Sequence, residues 1–223
     1  MKAVLYRDAP GVAVIDLFAD APAAQPRPSA YLLAAYAAWF PSGTVFLCVV
    51  DPGVGGARAP LILAADGRWY VGPDNGLFEC LLRRAAETRA WHITFRPPVL
   101  SASFHGRDLF APVAACLARG ESPPGVPHLP TRFADWPDEL AEVIYVDHFG
   151  NAITGLRAGV LPPTAGLAVT GRMLPRRRTF SDLSQNEAFC YENANGLMEI
   201  ALNGARATDV LGLSIGSKVS VAA

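Results

Sequence analysis

Residues 49–58 read VVDPGVGGAR, directly after the apolar run TVFLC at 44–48. The run lacks the polar alternation of a half-exposed strand, so it predicts a strand covered on both faces in a parallel sheet. It ends in an acid, turns through a proline and glycines, and returns an arginine. Loops that leave the strand ends of α/β sheets are where such proteins bind small molecules. Asp51 and Arg58 are therefore the first candidates for chemistry.

Working outward, AVIDLF at 13–18 predicts an earlier strand, and Ser29 is expected to cap a helix over SAYLLAAYAAWF. LILAADGRWYVG gives two β-rich runs around Asp66-Gly67, a hairpin signal. DNGLFECLLRRAAE and HGRDLFAPVAACLARG read as helices, the second stopped by Gly120. An α/β N-terminal domain over 1–122 follows from this alternation. Prolines at 123, 124, 127, 130 and 137 mark 123–141 as a linker. From 142 to 223, EVIYVDHFGNAITGL, GLAVTGRML, AFCYENANGLMEIAL and SKVSVAA predict a smaller, mostly antiparallel β domain, with one short helix in ARATDVLG.

The chain has 223 residues, half of them hydrophobic, and a formal charge of −1. That balance lacks the basic excess of a nucleic-acid binder. The apolar stretches are too short to cross a bilayer, and MKAVLYRDAPG has no signal-peptide core. A cytoplasmic protein without membrane or nucleic-acid partners is expected. The four cysteines, Cys48, Cys80, Cys116 and Cys190, are widely spaced and read as small hydrophobes rather than disulfides or metal ligands.

Several motifs fail on context. GLSIG around Ser214 matches a nucleophile pattern, but neither Asp nor His follows it, so it reads as a turn. GVGGAR carries Arg58 where a dinucleotide fingerprint needs its third glycine. RMLPRRR, with Arg172, Arg176, Arg177 and Arg178, reads as a charged strand edge in preference to an anion patch. A metal hydrolase built on Asp51 and His105 lacks clustered ligands. What survives is a set of loops, VVDPGVGGAR, SASFHGRD and VDHFGN, which place Asp51, Arg58, His105 and Asn151 after apolar runs.

In order along the chain, VVDPGVGGAR, VGPDNGL, SFHGRDLFAPVAA, VDHFGNAIT and NANGLMEIALNGARATDVLG resemble the signature segments of the S-adenosyl-L-methionine (SAM) hydroxide adenosyltransferase family. These are the hydrolytic relatives of the fluorinase and chlorinase. The resemblance implies an α/β N-terminal domain and a barrel-like β C-terminal domain. It also implies a homotrimer, with substrate held between one subunit's N-domain and its neighbour's C-domain. The implied reaction converts SAM and water to adenosine and methionine, with SAM as substrate and no cofactor or metal.

By the same resemblance Asp51, Arg58 and His105 are catalytic, flanked by Phe104 and Gly106 at the substrate. Asp147, Phe149 and Asn151 would lie near the nucleoside, and Ala194, Glu199, Leu202 and Asn203 at the adenine. The family's chemistry displaces methionine from the ribose C5′ without a general acid, because a thioether leaves without a proton. Water must be oriented and deprotonated, work suited to His105 and Asp51, with Arg58 stabilising developing hydroxide. Three departures are expected to matter. The family's first strand, with its acid-bearing turn, has no counterpart before MKAVLY, which implies either a start placed late or a lost strand and weakened substrate grip. DLFADAPAAQ has alanines where a histidine and an aromatic are usual, and Ala194 replaces a serine. The alternative to an active hydrolase is a non-catalytic adenosine- or SAM-binding or structural relative.

Overall fold

The computed structural model describes residues 1–222, which divide into two compact units. The first comprises 1–30 and 37–133, and the second 31–36 and 134–222. In chain order the elements begin with α1 (Lys2–Asp8), α2 (Pro26–Ala37), β1 (Val45–Leu47), β2 (Pro60–Ala65), β3 (Arg68–Pro73), α3 (Glu79–Arg84) and β4 (Thr88–Ile93). A π-helical turn (Gly106–Phe110) runs into α4 (Ala111–Ala118), followed by β5 (Gly125–Pro127). The rest are β6 (Leu140–Val146), β7 (Ala152–Arg157), β8 (Gly166–Val169), β9 (Arg172–Leu174), β10 (Ala188–Glu192), β11 (Leu197–Leu202), α5 (Ala207–Leu211) and β12 (Ser220–Ala222).

The first sheet has the order β1-β3-β2-β4-β5. Only β1 with β3 is parallel, and the other neighbours are antiparallel. The apolar run at 44–48 thus pairs in parallel as its composition predicts, but as an edge strand of a mainly antiparallel sheet. Phe46 is buried, while Val45 and Leu47 are only half-buried. The β2–β3 hairpin turns at Asp66 and Gly67, both at positive φ (46° and 76°), the twist that a two-residue hairpin loop requires. Ile62, Val71, Ile93, Leu109, Phe110, Val113 and Leu117 form the core between this sheet and α4. Each such large apolar side chain contributes about 1.5–3 kcal/mol on burial.

Two local expectations are corrected. Ala13–Phe18 is not a strand. Its Ile15 is 71% exposed, and its Asp16 is held by Lys2 of α1, so extended backbone there has no neighbouring strand to complete a ladder. Ser29 does not cap α2. The helix starts at Pro26, since proline suits a first turn whose N–H groups lack helical acceptors, and the Ser29 hydroxyl donates back to the Gln25 carbonyl at 2.8 Å.

Within the proline-rich stretch, Gly125–Pro127 enters the first sheet as β5. Arg132 and Phe133 further down the stretch are fastened to Glu79 of α3, which is 1% exposed. Glu79 accepts from Arg83 Nε at 2.6 Å, from Arg132 Nε and Nη2 at 3.1 Å each, and from the Phe133 N–H at 3.1 Å. A buried carboxylate fully supplied with donors turns a proline-rich segment into a fixed strap.

The second unit holds two antiparallel sheets, of order β10-β11-β7-β6 and β12-β8-β9, over a core that includes Val143, Leu156, Leu167, Met198 and Ile200. The expected antiparallel pairing is realised as hairpins at β6–β7, β8–β9 and β10–β11. Helix α5 ends at Gly212, in the left-handed conformation at φ 65°. Among the described residues the sheets do not join into a closed barrel. Register shifts at Leu140/Val143 and Val143/Tyr145 in β6, and at Leu197/Glu199 in β11, interrupt the ladders.

Burial opposes ionisation of Glu79, but Arg132, Arg83 and the Phe133 N–H outweigh it and hold the carboxyl below its usual range. A depressed carboxyl stabilises the fold above its unfolded pKa, and that contribution is lost as pH falls through the folded value. Glu79→Ala is expected to cost about 2 kcal/mol at neutral pH. Glu79→Gln should flatten the decline of the melting temperature below about pH 4.5. Thermal denaturation across pH 3–7 reads both.

Candidate active site

The loop after β1 folds back on itself. The Val54 N–H donates to the Asp51 carbonyl at 3.3 Å, and the Gly56 N–H to the Gly53 carbonyl at 2.9 Å. Gly55 has φ 76°, and a Cβ there would stand 2.4 Å from the Ala102 carbonyl oxygen, so only glycine lets this loop press against the segment leading to His105. Asn75 of the PDNG segment secures the strand exit, with its amide donating to the Val50 carbonyl at 2.9 Å. Gly106 works similarly from the other side, because a Cβ there would stand 3.0 Å from Val49 Cγ1.

The outcome is a compact set of Asp51, Arg58 and His105. Arg58 Nε donates to Asp51 Oδ1 at 2.9 Å, and its Nη2 donates to Asp51 Oδ2 in a two-pronged pair. The same Nη2 lies 2.9 Å from His105 Nδ1. The side chains of Arg58 and Asp51 are 10% and 4% exposed, and the Arg58 guanidinium lies 5.2 Å from the centre of the Phe110 ring. Desolvation of either charge is offset chiefly by the other, so losing one partner leaves the second stranded, at a cost of about 3–5 kcal/mol.

Arginine has donors only, so His105 Nδ1 faces Arg58 as an acceptor and the imidazole proton is assigned to Nε2. Burial first, and the Arg58 charge second, push the His105 pKa below its ordinary value, against smaller opposing effects of Asp51 and Asp108. His105 is a neutral ring presenting Nε2–H at neutral pH. Phe104 is 41% exposed with Arg107 over its ring at 4.8 Å, and Gly106 is buried at the start of the π-helical turn. Such turns recur at functional sites because they shift side chains off the regular helical track.

A second cluster lies in the other unit. At the β6–β7 turn the Asn151 N–H and amide donate to the two oxygens of Asp147, at 2.8 and 2.9 Å. The turn leaves Phe149 74% exposed. Gly150 has φ 81°, and its carbonyl accepts from the Thr208 N–H at 3.0 Å. Glu199 on β11 is 4% exposed. It accepts from the Tyr191 hydroxyl at 2.5 Å and the Asn193 amide at 2.9 Å. Burial foremost, with the Asp147 charge assisting, raises the Glu199 pKa against the hydrogen bonds from Tyr191 and Asn193.

The remaining predicted residues are placed differently. Ala194 is exposed on the β10–β11 turn. The Leu202 side chain is 4% exposed and belongs to the apolar core, and the Asn203 amide donates to the carbonyls of Phe180, Leu183 and Ser184. These two side chains are occupied by packing and loop closure. Tyr191, Asn193, Phe110 and Asn75 were not predicted. Tyr191 faces Glu199 across a strand pair, a relation that requires the register. Asn193 and Asn75 lie within the quoted signature segments, which was the available signal.

Among the described residues no group of three or more His, Cys, Asp and Glu side chains is arranged to hold a metal, and no helix is long and apolar enough to cross a membrane.

Comparison with known proteins extends over the whole chain. Residues 1–126 match the SAM hydroxide adenosyltransferase N-terminal domain, and residues 141–220 match the C-terminal domain. An (R)-S-adenosyl-L-methionine hydrolase of Thermus thermophilus is 42% identical, with 98% of this chain and 91% of that protein aligned. One of Salinispora tropica is 38% identical over 99% and 90%. A crystal structure of an uncharacterized conserved protein from Thermotoga maritima superposes with a TM-score of 0.90 at 28% identity, covering 100% of this chain and 93% of that one.

Replacing Arg58 with alanine removes the positive charge beside His105. The imidazole pKa is then expected to rise, and Nδ1 loses its donor. Nitrogen NMR of the ring across a pH titration reads both changes; an unaltered tautomer and midpoint would remove Arg58 as their cause.

Proposed function

Because the chain belongs to the SAM hydroxide adenosyltransferase family, we propose that it is an enzyme hydrolysing S-adenosyl-L-methionine to adenosine and L-methionine. The observation that carries the mechanism is the nearly buried Arg58 held between Asp51 and His105.

In this reading water attacks the ribose C5′ opposite the sulfonium. The new C–O bond forms as the C–S bond breaks, and its electron pair neutralises the departing methionine sulfur. The leaving group needs no acid. The nucleophile must shed one proton to become the adenosine 5′-hydroxyl. Both Asp51 oxygens accept from Arg58, yet each keeps a lone pair, so Asp51 is the acceptor for that proton. His105 offers Nε2–H to the water oxygen, which orients a lone pair toward carbon. Arg58 keeps Nη1 outside the Asp51 and His105 contacts, a donor for charge developing on the attacking oxygen. This division of labour assigns His105 to orientation and Asp51 to proton acceptance.

The proposal extends to the nucleoside. Asp147 with Asn151, and Glu199 with Tyr191 and Asn193, form a polar cluster fit to recognise adenosine, with Phe149 offering an exposed ring for stacking. Phe104 and Gly106 would border the substrate beside His105. Ala194 and Leu202 would contribute main-chain groups, whereas Asn203, whose N–H donates to the Glu187 carbonyl and whose own carbonyl accepts from the Asn186 N–H, would shape the loop beside the adenine. A homotrimer, cofactor-free action and a cytoplasmic location complete the reading, on the strength of the family resemblance. Light scattering tests the trimer.

Asp51→Asn keeps the side-chain shape and removes the proton acceptor. It is expected to lower kcat by about 10²–10⁴ with a small change in KM. Arg58→Ala should lower kcat by at least about 10². Purified protein incubated with SAM, with adenosine and methionine followed by chromatography, supplies the measurement. Undiminished adenosine release in both variants would overturn these roles.

A further inference from the structure

The arginines of RMLPRRR part company in the fold. Arg172 lies on β9, the edge of a three-stranded sheet, where a charged side chain guards against pairing with another strand. Arg176, Arg177 and Arg178 instead line one cavity of about 630 Å³ in the second unit, together with Pro163, Glu192 and Asn193. That volume falls in the range of small-molecule pockets.

The segment is fixed by main-chain bonds. The Cys190 N–H donates to the Pro175 carbonyl at 3.1 Å, and the Arg177 N–H to the Cys190 carbonyl at 2.9 Å. Asp182 closes the far end, its Oδ2 accepting from the Arg178 and Thr179 N–H groups at 3.1 and 3.2 Å. Three consecutive arginines are therefore presented from an anchored backbone.

Their charges are unequally used. Arg176 is committed, with Nη2 at 3.1 Å from Glu192 and Nη1 at 3.3 Å from the Pro162 carbonyl. Arg177 makes a single side-chain hydrogen bond, from Nη1 to the Arg176 carbonyl at 3.0 Å, and the Arg178 guanidinium has no partner among the described residues. Glu192 is the one carboxylate among the lining residues. The cavity thus holds an excess of positive charge in planar, donor-rich groups, the arrangement that recognises phosphate oxygens in pairs. A strand edge needs charge along a ladder, whereas exposed Arg177 and Arg178 converge on one open cavity.

We propose that Arg177 and Arg178, supported by Arg176, form a binding site for the phosphate groups of a phosphorylated small molecule. The ligand differs from that of the hydrolytic reading, since SAM carries no phosphate, while Asn193 borders both this cavity and the Glu199 cluster. Isothermal titration of the full chain with inorganic pyrophosphate tests it, with wild type compared with the Arg177→Ala/Arg178→Ala double variant and with Arg172→Ala. The expected result is saturable binding to wild type and to Arg172→Ala, weakened at least tenfold in the double variant and by added salt. Circular dichroism and the melting temperature establish that the double variant is folded. The absence of saturable binding in wild type, unchanged affinity in the folded double variant, or an equal loss in Arg172→Ala would each overturn the proposal.

Discussion

A guanidinium withdrawn from water must find acceptors, and Arg58 finds them on two separate stretches of chain. Asp51 takes one side of it and His105 supplies a ring nitrogen to the other. That requirement explains the surrounding construction. The glycine loop has to double back so that Arg58 returns beside Asp51. Gly55 has to accept contact with the Ala102 carbonyl, and Gly106 has to lie against Val49. The charge pair therefore accounts for the chemistry and also for why these loops tolerate so little side chain.

The second unit meets a related problem with the opposite electrostatic outcome. Glu199 is buried near another acid, and its pKa rises where no cation offsets the burial. Tyr191 and Asn193 supply hydrogen bonds in place of charge. In Glu79, by contrast, arginines and a main-chain N–H reverse the effect of burial. The direction of the shift follows the donors each carboxyl is given rather than burial alone.

Much of the fold was legible where a local rule decides. The Asp66-Gly67 hairpin, the stop at Gly120 and the hairpins of the second unit follow from turn chemistry and alternation. Ala13–Phe18 misled because a short, mostly apolar run suits a strand, whereas a strand also needs a neighbour. Ser29 misled because a good capping residue inside a longer proline-initiated helix has another use for its hydroxyl. The proline-rich stretch owes its order to partners far away in sequence, β4 for β5, Asp74 for Thr131 and Glu79 for Arg132 and Phe133.

At the site, residue types and motif order identified Asp51, Arg58 and His105, since an acid, a glycine turn and an arginine at fixed spacing are local facts. Which atoms face one another is not local. The proton on His105 Nε2 follows from the approach of Arg58 to Nδ1, and the availability of Asp51 follows from the lone pairs that Arg58 leaves free. Tyr191 could be paired with Glu199 only through strand register, and Leu202 and Asn203 are drawn away from ligand contact by core packing and loop closure. The sequence alone determined the reacting groups, because their identity is covalent. Tertiary structure decided their roles, because direction, protonation and burial belong to neighbours that the chain brings together only on folding.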